Sequence, residues 1–319
     1  MRYALLFPGQ GSQYIGMCKD LIEQYRIAAD VFEEANHALN MDIRSLILNG
    51  NLQELTQSDH AQPAVVAASY ALFRVFQEQV GAAPYCMAGH SLGEISALIA
   101  AEAVTFADGV SYARKRGAIM QRVIQENKGR AGIVVDMKEE VLDSIIESIQ
   151  GNDYVAISGY NSPNQFIVAG NQMALRKLDE EVSKLGGDFI PFRMMPMKAD
   201  APYHSALMAY LKPELEEALA SVTFAQTKLD VWSTVTGKVI EPSDSIPTIL
   251  SNQLILPVKW NQVLTKMNDV GVKSFIDIGP QQITKHLVKE NSVLPACFSF
   301  DDEEDRIQIL SLLKKEALA

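Results

Sequence analysis

The chain has few cysteines and no long apolar segment. Its three cysteines, Cys18, Cys86 and Cys297, are an odd number without the spacing of metal ligands, so we expect reduced core thiols rather than disulfides or a zinc site. No run of about 18 apolar residues is present, which argues against a membrane-spanning helix. The apolar run 1–7 meets Pro8-Gly9 too early to form a signal peptide. The sequence therefore predicts a globular protein of the cytoplasm.

Positive charge is also scarce. The chain carries 28 lysines and arginines against 39 aspartates and glutamates, a formal net charge of −11. Because nucleic-acid binding needs basic side chains against phosphates, this balance argues against DNA or RNA as the main partner. It does not argue against an acidic protein partner, since docking depends on a local patch. A length of 319 residues, 48% of them hydrophobic, suits one large domain with an insert.

The most informative segment is 89–93, Gly-His-Ser-Leu-Gly. It has the G-x-S-x-G pattern of a nucleophile elbow, in which a serine sits in a strained turn between a strand and a helix. The apolar run 85–88 predicts a buried strand before it, and the small apolar residues 94–101 predict a helix after it. Ser91 is therefore a candidate nucleophile, with the backbone N–H of Leu92 as an oxyanion donor.

The chain on both sides of this serine alternates strands and helices. Residues 3–7 predict a strand, and 63–80 predict a buried helix that begins at Pro63. A further helix begins at Phe106 and carries Arg116. Segments 231–233 and 274–278 predict more strands of the same sheet. This is the pattern of an α/β protein with a parallel sheet.

Between these parts the order of elements changes to β-α-β-β-α-β. The segments are strands at 132–135, 154–158, 165–169 and 189–192, helices over 138–149 and 173–185, and a turn at 161–164. That order is typical of a ferredoxin-like module. We therefore predict a small ferredoxin-like domain at 128–196, inserted into a large α/β-hydrolase-like catalytic domain formed by 1–127 and 197–319.

A serine nucleophile needs a base, and three of the five histidines are poor candidates. His37 lies in a polar helical stretch and His60 in a polar segment that predicts a loop, so both suit the surface. His90 lies inside the elbow, where its ring cannot easily turn back onto Ser91.

His204 and His286 are the two remaining candidates. His286 fits the serine–acid–histidine order of α/β-hydrolases but lies in the middle of a predicted helix. His204 lies in a turn-rich segment that returns from the insert to the large domain, where it can face a cleft between them. Spacing alone favours His204 and leaves His286 open.

The chain resembles the malonyl-CoA:acyl carrier protein transacylases of fatty-acid and polyketide biosynthesis over nearly its whole length. The matching segments occur in that family's order and are 7–13, 89–94, Arg116-Gly117 with Met120-Gln121, Asn161-Ser162-Pro163 with Gln165, 202–204, Gln253 with 257–260, and Gly279-Pro280. The resemblance implies the same fold with the same inserted module, and it selects His204 over His286.

The resemblance also implies a role for each catalytic group. Ser91 would accept the acyl group, and His204 would act as its general base and then as its general acid. The backbone N–H groups of Gln10 and Leu92 would form the oxyanion hole. A main-chain carbonyl at Gln253 would orient the histidine in place of a carboxylate.

A second set of residues would bind the acyl group. The forked guanidinium of Arg116 would pair with the free carboxylate of a malonyl group. Without the resemblance, a solvated helix charge would be the simpler interpretation, because Arg114 and Lys115 precede it. The residues implied to line the same pocket are His90, Gln62, Asn161 and Tyr203.

The implied reaction moves a malonyl group from coenzyme A to the phosphopantetheine thiol of an acyl carrier protein through a malonyl-serine intermediate, in a two-step, ping-pong exchange. No metal or other cofactor is needed, and we expect a monomer.

An acyl hydrolase of the same fold and a non-catalytic carrier-binding module are the alternatives. The presence of Arg116 argues against the hydrolase, and the intact pair of Ser91 and His204 argues against the binding module. The sequence leaves fatty-acid and polyketide pathways, including antibiotic biosynthesis, both open.

Further details concern selectivity and docking. Leu92 and Tyr203 are expected to narrow the pocket and favour malonyl over α-branched acyl groups. The lysines that could form a basic patch for the carrier protein are Lys198, Lys285 and Lys289. The chain departs from the family at Gln281-Gln282, where relatives usually have a glycine, and at 130–133, where they usually have Gly-Ala-Met.

Overall fold

Within residues 2–149, 151, 153–195 and 200–317, which the computed structural model describes, the chain forms ten β-strands and fourteen α-helices. The strands are β1 (Tyr3–Phe7), β2 (Cys86–Gly89), β3 (Arg130–Val135), β4 (Val155–Ser162), β5 (Gln165–Gly170), β6 (Asp188–Pro191), β7 (Val231–Ser233), β8 (Lys238–Val239), β9 (Ser274–Asp277) and β10 (Cys297–Ser299). The helices are α1 (Lys19–Gln24), α2 (Arg26–Leu39), α3 (Ile43–Asn49), α4 (Leu52–Leu55), α5 (Ser58–Val80), α6 (Gly93–Ala100), α7 (Phe106–Glu126), α8 (Glu139–Ile149), α9 (Gln172–Lys184), α10 (Lys212–Ala220), α11 (Ile246–Asn252), α12 (Trp260–Asp269), α13 (Ile283–Lys289) and α14 (Glu303–Ala317). Short 3₁₀ turns cover Phe192–Met194, Ala206–Leu211 and Pro280–Gln282.

The larger sheet has the strand order β10-β9-β1-β2-β7-β8. All neighbouring pairs are parallel except β7 and β8, which are antiparallel. Every residue of β1 and β2 is buried, as expected for parallel strands with both faces covered. Phe7 at the end of β1 pairs with Gly89 at the end of β2. The turn after β1 and the elbow after β2 therefore meet at the carboxyl edge of the sheet, where open α/β folds place their ligands.

The smaller sheet is antiparallel, with the strand order β4-β5-β3-β6. Helices α8 and α9 pack on it through a separate apolar core that includes Val134, Leu142, Phe166 and Leu178. This is the ferredoxin-like arrangement, so the predicted fold class is confirmed. The exact domain boundaries stay a prediction, and residues 196–199 at the second one lie outside the described residues.

The two sheets are joined along one edge of the insert. Gly159 in β4 forms a parallel bridge with Val258, in the segment that leads into α12. The N–H of Tyr160 donates to the Val258 carbonyl at 2.8 Å, and the Val258 N–H donates to the Ser158 carbonyl at 3.0 Å. These backbone bonds tie the insert to the large domain beside the cleft.

Strand β4 is longer than the sequence predicted. The turn expected at 161–164 is shorter, because β4 continues to Ser162. Its register against β5 shifts between Ile157 and Gly159 and again between Tyr160 and Ser162, so Ser158 and Asn161 are the extra residues of two bulges. A bulge turns a side chain away from its regular direction, and the Asn161 bulge turns that side chain toward the elbow.

Helix α5 begins earlier than the sequence predicted. It starts at Ser58 rather than Pro63, so His60 lies in a helix and not in a loop. The Ser58 N–H, one of the unpaired donors of the first turn, donates to Oε1 of Gln121 on α7 at 2.7 Å. That cap comes from a distant part of the chain, which explains why the local pattern around Pro63 missed it.

The departure at Gln281-Gln282 places two consecutive side chains on left-handed backbone. Their φ angles are 67° and 57°, a conformation that costs a non-glycine residue roughly 1–2 kcal/mol. Hydrogen bonds hold the two residues in this geometry. The Gln281 N–H donates to Asp301 Oδ2 at 3.2 Å, and Lys285 Nζ, three residues along the chain, donates to Gln282 Oε1 at 3.0 Å.

Across residues 2–149, 151, 153–195 and 200–317, the helices are too short or too polar to span a membrane.

The packing of β1 against α6 leaves no room for a side chain at position 93. A Cβ there would lie 2.1 Å from the carbonyl oxygen of Phe7. We expect Gly93→Ala to lower the free energy of unfolding by about 3 kcal/mol, because the clash is with backbone of a central strand. Denaturant unfolding measures this, with Gly159→Ala as the matched control.

The control differs in what the new methyl group would meet. The three atoms nearest to a Cβ at Gly159 belong to the Ile167 side chain, the closest at 3.1 Å, so that variant should lose about 1 kcal/mol. Equal losses in the two variants would contradict the assigned packing at the elbow.

Candidate active site

Ser91 lies on the tight turn that the G-x-S-x-G pattern predicted. Its φ angle is 51°, and it stands between the end of β2 and the start of α6. The N–H of His90 donates to the Phe7 carbonyl at 2.9 Å, which anchors the turn to the neighbouring strand. The strained serine is thus fixed at the edge of the sheet with its hydroxyl directed into a cavity.

Ser91, His204 and Gln253 form one hydrogen-bonded chain. The Ser91 hydroxyl lies 2.8 Å from Nε2 of His204. Nδ1 of the same ring lies 2.6 Å from the main-chain carbonyl oxygen of Gln253. A carbonyl can only accept, so Nδ1 carries the proton and Nε2 is left as the acceptor for the serine hydroxyl. A main-chain group thus takes the place that a carboxylate has in a serine triad.

A short turn positions His204 opposite the serine. Its φ angle is 60°, so it too lies in left-handed backbone. The Tyr203 N–H donates to the Ala201 carbonyl at 2.8 Å, and the Ser205 hydroxyl donates to the Pro202 carbonyl at 2.6 Å. These local bonds hold the segment in the geometry that brings the ring to Ser91.

The His204 ring is neutral at ordinary pH. Burial, together with the nearby positive charge of Arg116, lowers the pKa of His204 to about 3. The bond to the Gln253 carbonyl acts in the opposite direction but is the smaller effect. A neutral ring with a free Nε2 can accept the serine proton without first losing one of its own.

Arg116 is a buried cation and not a surface charge, with only 3% of the residue exposed. It lies on α7 where Gly117 lets that helix approach α5, since a Cβ at 117 would lie 2.2 Å from the Ser58 carbonyl oxygen. One terminal nitrogen of its guanidinium donates to Gln62 Oε1 at 2.8 Å. The other donates to Gln253 Oε1 at 3.0 Å and lies 3.4 Å from the Ser91 hydroxyl oxygen.

A row of amides supports Arg116 on the side of α5. The Gln62 side chain is fully buried, and its Nε2 donates to Gln10 Oε1 at 3.0 Å. The Gln10 amide in turn donates to the Ser58 hydroxyl oxygen at 3.0 Å. Each amide therefore presents its oxygen toward the guanidinium end of the row. Burial lowers the pKa of Arg116, but a guanidinium stays protonated in proteins.

Two backbone N–H groups, those of Gln10 and Leu92, belong to the segments that meet at Ser91. Gln10 follows β1 and Leu92 follows Ser91, and the pairing of β1 with β2 brings the two segments side by side. Among the described residues, neither N–H donates a hydrogen bond to another protein group. Both are available for an oxyanion formed at Ser91.

His90 faces the insert. Its Nε2 lies 2.9 Å from Asn161 Oδ1, and the Asn161 amide donates to Gln165 Oε1 at 2.9 Å. The Gln165 amide then donates to both carboxylate oxygens of Glu290, at 2.8 and 3.0 Å. Since Glu290 only accepts, the chain of bonds gives His90 a proton on Nε2, and burial lowers the pKa of its ring.

A cavity of about 110 Å³ opens in front of the serine between the two sheets. The residues that line it are Gly9, Gln10, His90, Ser91, Arg116, Met120, Ala131, Ile167, Phe192, Tyr203 and His204. It is small and mainly apolar, with one cation and the serine–histidine pair on its wall, so it suits a small acyl group with a negative charge.

Several predicted residues lie where the sequence analysis expected them, and others do not. Tyr203 lines the cavity. The Leu92 side chain is fully buried in the core and is not among the residues that line the cavity, so the expectation that it narrows the pocket is wrong. Three predicted residues contact the site through other side chains: Gln62 bonds to Arg116, Asn161 to His90, and the Gln253 carbonyl to His204. His286 is an exposed residue of α13.

The three lysines expected to form a basic patch differ in their surroundings. Lys285 forms an ion pair with Asp305, whose Oδ2 lies 2.5 Å from Nζ, and also donates to Gln282. Lys289 is exposed, and Lys198 lies outside the described residues. Sequence reasoning missed the lining residues Ala131, Ile167 and Phe192, because strand alternation shows which residues share a face but not what that face meets.

Comparison with known proteins agrees with this geometry. The family model for the acyl transferase domain matches residues 4–315. The malonyl CoA-acyl carrier protein transacylase of Bacillus subtilis is 35% identical over 317 residues, covering 99% of this chain and 98% of that protein. The Escherichia coli K12 protein of the same name is 34% identical, covering 90% and 92%.

The chain belongs to this acyltransferase family.

Solved structures extend the similarity to the whole fold. The malonyl CoA-acyl carrier protein transacylase from Clostridium perfringens superposes on this acyltransferase with a TM-score of 0.92 at 30% identity, covering 100% of this chain and 99% of that one. A malonyl-transacylase solved in complex with its type II polyketide synthase acyl-carrier protein gives a TM-score of 0.91 at 30% identity, covering 98% and 99%.

The low pKa of His204 predicts an unusual pH dependence for Ser91. A histidine with the ordinary value of about 6.5 would be mostly protonated at pH 5, and a reaction that needs its neutral form would slow roughly thirty-fold. With the pKa of His204 lowered to about 3, the neutral form persists. We therefore expect sulfonylation of Ser91 by a neutral sulfonyl fluoride to keep its rate from about pH 7 down to about pH 5, as followed by intact-protein mass spectrometry.

His204→Ala is the control and should abolish the reaction at every pH. A rate that falls with a midpoint near 6.5 in the parent protein would contradict the buried, neutral His204.

Proposed function

We propose that this protein transfers a malonyl group from coenzyme A to the phosphopantetheine thiol of an acyl carrier protein, through a malonyl ester on Ser91. One observation carries the proposal. The guanidinium of Arg116 is buried on the wall of the same small cavity as the Ser91–His204 pair, 3.4 Å from the serine oxygen. An acyl chain that ends in a carboxylate satisfies both groups at once. The names of the relatives support the same substrate class.

The first step acylates the serine. His204 Nε2 takes the Ser91 proton as the oxygen attacks the thioester carbonyl of malonyl-CoA. The N–H groups of Gln10 and Leu92 donate to the resulting oxyanion. The carbon–sulfur bond then breaks, His204 returns the proton to the departing thiolate, and coenzyme A leaves a malonyl ester on Ser91.

The second step reverses these roles with a different thiol. His204 takes the proton of the carrier-protein thiol, whose sulfur attacks the ester carbonyl. The bond between the carbonyl carbon and Ser91 breaks, and the serine oxygen regains its proton from His204. Two thioesters of similar energy are exchanged, so the chain's residues need only position groups and move one proton.

Acyl selectivity follows from the wall of the cavity. Arg116 presents a planar fork of donors that can form two hydrogen bonds with a carboxylate. A neutral acyl group such as acetyl has no carboxylate to accept them. Tyr203 lines the cavity and supports a preference for malonyl over α-branched groups. The same proposal assigns roles to three further residues. Gln62 holds the guanidinium of Arg116, while His90 forms part of the cavity wall and Asn161 holds its ring from the side of the insert.

The remaining expectations belong to this proposal. An acyl hydrolase would need no cation at the end of the acyl group, so the buried Arg116 favours transfer to a thiol over transfer to water. A cytoplasmic location and a monomeric state stay predictions from the sequence.

The proposal predicts a large effect of Arg116 on malonylation. The protein is exposed briefly to malonyl-, methylmalonyl- or acetyl-CoA, with and without phosphopantetheinylated carrier protein, and its mass is measured. Arg116→Ala should lower malonylation of Ser91 at least about 100-fold, because a buried carboxylate then lacks its partner, while acetylation changes little.

Two control variants test whether the effect is specific to Ser91 and Arg116. Ser91→Ala should form no adduct, and Arg122→Ala, which removes an exposed arginine of the same helix, should behave like the parent. An adduct that forms equally well with acetyl-CoA and passes to water rather than to the carrier protein would contradict the proposal and favour the hydrolase.

A further inference from the structure

Glu94 is a fully buried carboxylate directly behind the active site. It lies in the first turn of α6 and has no exposed surface. Its Oε2 accepts from the Thr234 N–H at 3.3 Å, the Thr234 hydroxyl at 3.0 Å and the Gln253 amide at 3.2 Å. Burial raises the pKa of this carboxyl, while the three donors favour its ionised form. Burying a carboxylate is costly, so its place beside Gln253 calls for a physical explanation.

The Gln253 side chain joins Glu94 to Arg116. Its Nε2 donates to Glu94 and to the Ser91 carbonyl, the latter at 3.0 Å, while its Oε1 accepts from Arg116 at 3.0 Å. Glu94 Oε2 also accepts from the Thr234 N–H, so it faces Gln253 as an acceptor, and the guanidinium of Arg116 only donates. Together they allow one orientation of the amide, with its nitrogen toward Glu94 and its oxygen toward Arg116.

The Gln253 amide also keeps Glu94 and Arg116 apart. Among the described residues, neither Glu94 nor Arg116 forms a direct ion pair. A carboxylate placed directly on Arg116 would occupy the fork of donors that an acyl carboxylate needs. With Gln253 between them, Glu94 orients the guanidinium and leaves its cavity side to the ligand.

We propose that Glu94 is a positioning residue that sets the preference for acidic over neutral acyl groups, by orienting the Gln253 amide and, through it, Arg116. The inference rests on the proposed function and adds a residue to which that function assigns no role. The competing explanation is structural, because Glu94 also ties α6 to the end of β7 through Thr234.

The test compares the rates at which Ser91 is acylated by malonyl-CoA and by acetyl-CoA. Glu94→Met has a similar length and replaces the carboxyl oxygens with a thioether, which is only a weak acceptor, and it should lower the malonyl-to-acetyl ratio about ten-fold or more. Sulfonylation of Ser91 by a neutral sulfonyl fluoride should stay within about two-fold of the parent rate, because Glu94 bonds to neither the Ser91 hydroxyl nor the His204 ring, and the bonds of His204 to Ser91 and to the Gln253 main chain remain.

Two further variants separate the explanations. Glu94→Gln should keep the ratio within about three-fold, because the Thr234 N–H requires an oxygen at the position that also faces Gln253. Thr234→Val removes a hydrogen bond to Glu94 without touching the Gln253 link, and it should leave the ratio unchanged.

A double-mutant cycle tests whether Glu94 acts through Gln253. Gln253→Met should lower the ratio by itself, and adding Glu94→Met should lower it no further. Losses that multiply in the double variant would contradict the inference. Where Glu94→Met does not fold, Gln253→Met decides the matter, and an unchanged ratio in that variant overturns the inference.

The remaining outcomes are also decisive. A parental ratio in Glu94→Met, or equal losses of malonylation and sulfonylation, would assign Glu94 a structural role. A ratio in Glu94→Gln as low as in Glu94→Met would contradict the orienting mechanism. A parent protein that forms no malonyl adduct would instead overturn the proposed function.

Discussion

The site depends on one residue, Gln253, which serves two functional groups with different atoms. Its main-chain carbonyl accepts from Nδ1 of His204, and its side-chain oxygen accepts from Arg116. The first contact fixes the tautomer that leaves Nε2 free for Ser91. The second fixes the cation 3.4 Å from the serine oxygen. Since both bonds are made by the residue that directly follows α11, Ser91, His204 and Arg116 share one support.

The two-sheet architecture explains how these groups meet. The carboxyl edge of the parallel sheet supplies the turn with Gln10 and the elbow with Ser91. The insert supplies the opposite wall through Ile167 and Phe192, and the chain returns from it through His204. The cavity between the two sheets is small and mainly apolar, and such surroundings strengthen the charged contacts on its wall.

The sequence predicted what local patterns control. Five residues define the elbow, and alternation defined the strands of the insert, so both parts of the fold class were predicted correctly. Features that depend on distant contacts were missed. Helix α5 begins at Ser58 because Gln121 caps it from α7, and Asn161 leaves the expected turn because β4 bulges against β5. Spacing favoured His204 without excluding His286, because the Gln253 carbonyl that fixes the ring has no sequence signature. For the same reason Arg116 could not be told from a surface charge without the family resemblance.

The most direct test of this account is a crystal structure of the malonylated protein, obtained by soaking with malonyl-CoA. We expect the malonyl carboxylate to lie on the guanidinium of Arg116, with the contacts of Arg116 to Gln62 and Gln253 preserved. The ester carbonyl oxygen should lie within hydrogen-bonding distance of the Gln10 and Leu92 N–H groups. A carboxylate that points to solvent, or an Arg116 that leaves Gln253 to reach it, would contradict the account.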